Sequence, residues 1–191
     1  MFNPISATRK LAVDTASQVI AQNPIYLDTE TTGLNRTDEI VEISVIDDNG
    51  LTLFESLVKP IQRIPADTTL VHGITNEDVI GAPSWLIVWT KLRPLLSGRL
   101  IVLYNADFDE GMIREANRRS GFPQEKLNTF DLLKLYSQFQ GDWDPRRRAY
   151  RFYSLAEAGR QCRISLPNAH RATADSLLTR ALLHYIADFK G

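Results

Sequence analysis

Along the first 22 residues, apolar side chains return at Ile5, Leu11, Ala12, Ala16, Val19 and Ile20, the spacing of one helix face. Pro24 ends that pattern, because the residue before a proline is pushed out of helical backbone. Ile25-Tyr26-Leu27-Asp28-Thr29-Glu30 then reads as a short buried strand breaking into the turn Thr31-Thr32-Gly33. From Glu39 to Asp47 the chain alternates Ile40, Glu42, Ser44 and Ile46 with Val41, Ile43 and Val45, a strand with one greasier face. Asp48-Asn49-Gly50 is a hairpin signal, and Leu51 to Lys59 returns as the next strand.

Pro60 and Pro65 mark a loop running to Thr75, which can cap a short helix with Asp78 three positions on. Pro83 and Ser84 open a helix through Trp85, Leu86, Trp89, Leu92 and Leu95. Leu100-Ile101-Val102-Leu103 is an apolar run of strand length, and Phe108 to Arg119 is a helix ending at Gly121. Lys126 to Phe130 forms a last short strand, and Asp131 opens a helix through Phe139. A loop from Gly141 to Phe152 precedes helices near Ser154–Cys162 and Arg171–Phe189. Hairpin strands followed by strands alternating with helices imply an α/β fold, a mixed β-sheet flanked by α-helices. One globular domain is expected, residues 25–191, preceded by an N-terminal helical extension over 1–24.

Composition changes this picture little. The 191 residues are 43% hydrophobic and 24% charged, ordinary for a globular chain. No apolar run approaches the roughly 18–20 residues that span a membrane, and no secretory signal opens the chain, so a cytoplasmic location without a membrane partner is expected. The single cysteine, Cys162, cannot form an internal disulfide. A net charge of −1 argues against a protein that merely coats nucleic acid, which needs many Lys/Arg–phosphate contacts. It leaves a nuclease open, since such an enzyme carries positive charge on bound ions.

The acidic residues carry the candidate chemistry. Asp28 and Glu30 lie two apart at a strand end, so both face the same side of the sheet. Like charges that close repel unless something positive lies between them, and a hard divalent cation is the natural candidate. Two solvated side chains entering a polar turn are the plainer alternative. Asp107 and Asp109 follow the next apolar strand, where acidic residues also serve simply to stabilise a helix N-terminus. Asp175 lies early in the last helix, five residues after His170, and a lone helical Asp is usually just solvated.

Read together, these signals become specific. Asp28-Thr29-Glu30-Thr31-Thr32-Gly33, Asn105-Ala106-Asp107-Phe108-Asp109 and His170-Arg171-Ala172-Thr173-Ala174-Asp175, in this order, resemble the three motifs of the DEDDh (DnaQ-like) 3′→5′ exonuclease family. Its members include the proofreading subunits of bacterial DNA polymerase III. Val71-His72-Gly73-Ile74-Thr75 also resembles a segment common in that family, and the resemblance runs from about Ile25 to Tyr185.

The resemblance implies a ribonuclease H-like fold in which Asp28, Glu30, Asp109 and Asp175 hold two divalent cations, Mg²⁺ or Mn²⁺. It makes His170 the general base and selects Asp109 over Asp107. It places Thr31, Leu34, His72, Asn105 and Phe108 around the terminal nucleotide, although Phe108 also suits a core aromatic. Tyr104 stands where relatives often have histidine, a departure that removes no ligand. Two ions roughly 3.5–4 Å apart serve the attacking and leaving oxygens of a phosphodiester. Histidine fits the base because its ordinary pKa, about 6.5, lies near neutrality; His184 reads as structural.

The expected activity is release of nucleoside 5′-monophosphates from single-stranded DNA or DNA 3′ ends. RNA is the alternative substrate, and a non-catalytic binding module is less favoured because no ligand is missing. A two-carboxylate glycoside hydrolase would need neither His170 nor a metal. No polymerase-binding motif or tail is evident. The stretch Trp143 to Tyr153 mixes Arg146, Arg147, Arg148 and Arg151 with aromatics, which suits a nucleic-acid strand. A solvated loop whose aromatics tuck under the final helices is slightly preferred.

Overall fold

The structure, a computed structural model, describes residues 4–164 and 170–190, with side chains from residue 7 onward, so Ile5 lies outside the described side chains. Five strands form one sheet: β1 (Ile25–Thr31), β2 (Ile40–Asp47), β3 (Thr52–Leu57), β4 (Ile101–Leu103) and β5 (Thr129–Asp131), in the order β3-β2-β1-β4-β5. The β1-β2 and β2-β3 pairs are antiparallel, as short turns require, while β1-β4 and β4-β5 are parallel across helical crossovers. The mixed sheet expected from the sequence is therefore present.

Alternation along β1 divides the core. Ile25 and Leu27 point to one face, packing with Ile43, Val45, Ile101 and Leu103 under α3 (Trp85–Leu96) and α4 (Ala106–Arg119). Tyr26 points to the other, packing with α1 (Pro4–Ile20), α5 (Leu132–Gln140) and α7 (Ala172–Ala187). Each fully buried aliphatic or aromatic residue here contributes roughly 1.5–3 kcal/mol. The N-terminal helix is part of this second layer: Ala12, Ala16 and Val19 are buried, and α1 packs on α5 and α7. Arg9 donates to the carbonyls of Phe139 and Gln140 at 2.7 and 3.1 Å, tying α1 to the end of α5.

Three local readings need correction. Ala66–His72 in the 60–75 loop forms a short helix, α2, closed by Gly73 at φ 75°. It carries no apolar stripe, since most of its side chains are exposed, so periodicity could not reveal it. Thr75 and Asp78 make their reciprocal hydrogen bonds, but residues 76–81 form a turn rather than a helix. The 141–152 loop contains a small hairpin, β6 (Trp143–Asp144) with β7 (Ala149–Tyr150), whose turn is held by Asp144 accepting the Arg146 and Arg147 N–H groups. Trp143 packs edge-on against Tyr150 and stays exposed, and only Tyr153 is buried, so the aromatics do not all tuck under the final helices. A short helix α6 (Leu155–Gln161) follows, capped by Ser154 accepting the Glu157 N–H.

Candidate active site

The second half of β1 continues the alternation that buries Tyr26, so Asp28 and Glu30 face the layer containing α7. The β1-β2 register breaks between Glu30 and Thr31, which ends the regular ladder beside the two acids. The first turn of α7 supplies Asp175, and one carboxylate oxygen from each of Asp28, Glu30 and Asp175 lies within 4.8 Å of the others. Asp109 arrives by a different route. It sits in the first turn of α4, in the opposite layer, almost fully buried, and accepts a hydrogen bond from the Thr29 hydroxyl at 2.7 Å. The turn into α4 is made possible by Asn105, held at φ 71° as the N-cap.

Four carboxylates in so small a volume resist ionisation. Burial pushes Asp28 well above the usual carboxylate range, and repulsion from Asp109, Asp175 and Glu30 adds to it. Glu30 is pushed up to about 8 by burial and by Asp175 and Glu42, with Arg171 opposing. Asp109 is pushed up to about 7 by burial, against the Thr29 hydrogen bond. Burial raises Asp175 as well, moderated by the His170 N–H, which donates to Asp175 Oδ1 at 3.3 Å. Among the described residues, no hydrogen-bond donor reaches the carboxylates of Asp28 or Glu30. A cluster that is oxygen-only, anionic and unsatisfied fits hard divalent cations such as Mg²⁺ or Mn²⁺.

A fifth acid supports the cluster. Glu42 sits opposite Glu30 in the β1-β2 register and is buried under α7. Its carboxylate accepts Arg171 Nε at 3.1 Å, a further Arg171 nitrogen, and the Ala172 N–H at 2.9 Å, fixing the N-terminus of α7 that presents Asp175. In the sequence Glu42, with Ser44 two positions on, reads as the polar face of an alternating strand; the register puts that face beside Asp28 and Glu30. Truncating Arg171 to alanine leaves Glu42 buried and half-satisfied. Arg171 is 46% exposed, so the expected loss is about 3 kcal/mol, the low end for a broken buried pair. That corresponds to a melting temperature roughly 6–12 °C lower for a chain of this size. A shift under about 1 °C in a thermal melt would mean that the pair adds nothing to stability.

The remaining sequence candidates are scattered around this centre. Thr31 is buried, its hydroxyl donating to the Gly33 carbonyl at 2.7 Å, while Leu34 is 85% exposed. His72 is buried, with Nδ1 accepting the Ile74 N–H at 3.0 Å, and burial lowers its pKa. Phe108 packs against the α3–α4 core, consistent with its plainer reading. His184 contacts Asp48 Oδ1 at 2.8 Å, the structural role expected. Tyr104 is tied down, its hydroxyl donating to the Tyr153 carbonyl at 2.7 Å.

Asp28, Asp175, His170 and Tyr104 line one cavity of about 560 Å³, within the range typical of ligand sites. Its other wall comes from α6 and the residues just after it, including Arg160 and Arg163, which sequence reasoning did not single out.

Comparison with known proteins agrees with the motifs. The RNase_T model, described as an exonuclease family, matches residues 25–183. The uncharacterized exonuclease CP81 of Escherichia phage 186 is 33% identical over 190 residues, spanning 96% of this chain and 97% of the phage protein. The PolC-type DNA polymerase III of Lacticaseibacillus paracasei is 27% identical over 164 residues, which is 84% of this chain but 11% of that polymerase. In fold, E. coli exonuclease I in complex with a dA16 oligonucleotide superposes with a TM-score of 0.71 at 18% identity, over 87% of this chain and 41% of that one.

Proposed function

The chain belongs to the DnaQ-like 3′→5′ exonuclease family, and from that membership we propose that it hydrolyses DNA from the 3′ end, releasing nucleoside 5′-monophosphates with the help of two divalent cations. The observation that carries this reading is the convergence of Asp28, Glu30 and Asp175, with Asp109 behind them, where Asp28, Asp175 and His170 line one cavity. Asp28, Glu30 and Asp175 would hold one ion, and Asp28 with Asp109 the other. Bound there, Mg²⁺ or Mn²⁺ supplies Lewis-acid stabilisation of the attacking and leaving oxygens.

The chain's own groups do the rest. His170 accepts the proton of the attacking water and passes it on to solvent. The N–H of His170 steadies Asp175 in the orientation that faces Asp28. Thr31, Leu34, His72 and Asn105 would border the terminal nucleotide, Leu34 through a side chain 85% exposed. DNA is favoured over RNA by the DNA polymerase III relatives and by the dA16 oligonucleotide bound to the fold neighbour. No helix of the described residues is long and apolar enough to cross a membrane.

A 5′-labelled single-stranded DNA oligonucleotide incubated with the protein and Mg²⁺ or Mn²⁺ is expected to yield a ladder shortening from the 3′ end. EDTA and the Asp28→Ala variant should each abolish it. Cleavage confined to a matched RNA oligonucleotide would make the protein an exoribonuclease instead, and two intact oligonucleotides would overturn the enzymatic reading.

A further inference from the structure

Deepening the exonuclease reading, on which this inference rests, we propose that Arg160 and Arg163 form a phosphate subsite that grips the polynucleotide strand beside the scissile linkage. Both line the 560 Å³ cavity that contains Asp28 and Asp175, and apart from His170 they are the cationic side-chain types on its wall. Arg160 lies in the last turn of α6, and Arg163 follows the C-cap in left-handed backbone at φ 57°, its N–H donating to the Arg160 carbonyl at 3.1 Å. Left-handed backbone is costly for a residue other than glycine. Here it accompanies the turn that leaves both arginines lining the same cavity.

Among the described residues neither guanidinium is otherwise engaged: neither makes a hydrogen bond or ion pair, and both side chains are exposed. Nearby cations differ in this respect: Arg171 is bound to Glu42, and Lys134 to Asp107 and Asp131. Arginine near a helix C-terminus is commonly explained by the helix dipole. That accounts for Arg160 at the end of α6, but not for two cations, unpaired among the described residues, lining a cavity that also holds Asp28 and Asp175.

A polyanion entering this cavity meets Asp28 and Asp175 within a few ångströms, inside the roughly 8 Å over which salt leaves charges unscreened. Two guanidinium forks lining the same cavity offset that repulsion and match phosphate oxygens in pairs. Leu155, Ile164 and Leu178 line the same cavity and offer apolar surface to a sugar or base. Nothing in this arrangement reads a base edge, so the ligand is a phosphodiester of a single strand, gripped without regard to sequence.

The test compares wild type, Arg160→Gln, Arg163→Gln and the double variant on two substrates. One is a single-stranded DNA oligonucleotide; the other is the p-nitrophenyl ester of thymidine 5′-monophosphate, a single phosphodiester with no neighbouring phosphate. Each substitution should raise KM on the oligonucleotide by about tenfold, the usual scale for a lost charged hydrogen bond, with the larger loss in the double variant. The loss on the ester should be far smaller. Fluorescence anisotropy of the same oligonucleotide in EDTA reads the subsite without turnover, and there the double variant should flatten the log–log salt slope by about 1.4. Equal losses on both substrates, or unchanged affinity and slope in anisotropy, would overturn the subsite. Absence of cleavage by wild type would instead sink the exonuclease reading, while the anisotropy comparison would still decide the arginines.

Discussion

Asp28→Asn is expected to remove hydrolysis while leaving the metal-free protein more stable than wild type. Asp28 is buried and repelled at once by Asp109, Asp175, Glu30 and Glu42. In the proposed arrangement it would help to hold both ions. Losing an ion's stabilisation of transition-state charge removes several kcal/mol, which is about 10³-fold or more in rate. The same change relieves a buried repulsion, and such active-site relief commonly returns about 0.5–2 kcal/mol of stability. The pH dependence separates the two effects. A carboxyl whose pKa rises on folding keeps its proton longer in the native state than in the unfolded one. The metal-free fold therefore loses stability as pH rises from the usual carboxylate range through about 7 for Asp109 and about 8 for Glu30. Thermal melts in EDTA should fall between pH 5 and pH 8.5 for wild type and fall less for Asp28→Asn. Saturating Mn²⁺ should raise the wild-type melting temperature, most at the alkaline end. A variant that melts below wild type at pH 8.5 in EDTA would mean that the four acids do not strain one another.

Much of this site could be read from residue order, because the signals are local. Asp28 and Glu30 declare a shared face by spacing alone, and the strand that carries them is unambiguous from Ile25-Tyr26-Leu27. Asp131 as the opening of α5 was equally plain, and its side chain accepts the Leu133 N–H as a cap should. What residue order could not convey is direction through the sheet. Asp109 comes from the first turn of α4, in the opposite layer from α7, and there accepts a hydrogen bond from Thr29, which points away from Asp28. Motif order gives four acids without saying that they come from both sides.

The other omissions share one cause: partners far apart in sequence. Glu42 looks like the outward residue of an alternating strand until α7, 129 residues later, covers that face and brings Arg171 onto it. Arg160 and Arg163 look like ordinary helix-end cations until the fold puts α6 across from Asp175. The hairpin β6-β7 escaped because two-residue strands carry no period, whereas the turn chemistry of Asp144-Pro145 was visible. The short helix α2 escaped for the reverse reason, being regular in backbone yet almost unpatterned in side chains.

His170→Ala is expected to reduce kcat by about 10²–10⁴, the range for a removed general base, while the metal-induced rise in melting temperature persists. The base and the carboxylates are separable here because the hydrogen bond from His170 to Asp175 is made by its backbone N–H, a donor that alanine keeps. Alanine brings a second disturbance, however. His170 sits at φ 67°, a left-handed conformation that asparagine tolerates better than alanine. His170→Asn therefore keeps the backbone poised and removes only the proton acceptor. If the imidazole is the base, both variants should lose turnover to a similar degree. If the role of His170 is to hold the turn before α7, asparagine should keep most of the rate and alanine should not. Near-normal turnover in both would place the proton acceptor elsewhere in the cavity and leave His170 with the Asp175 contact alone.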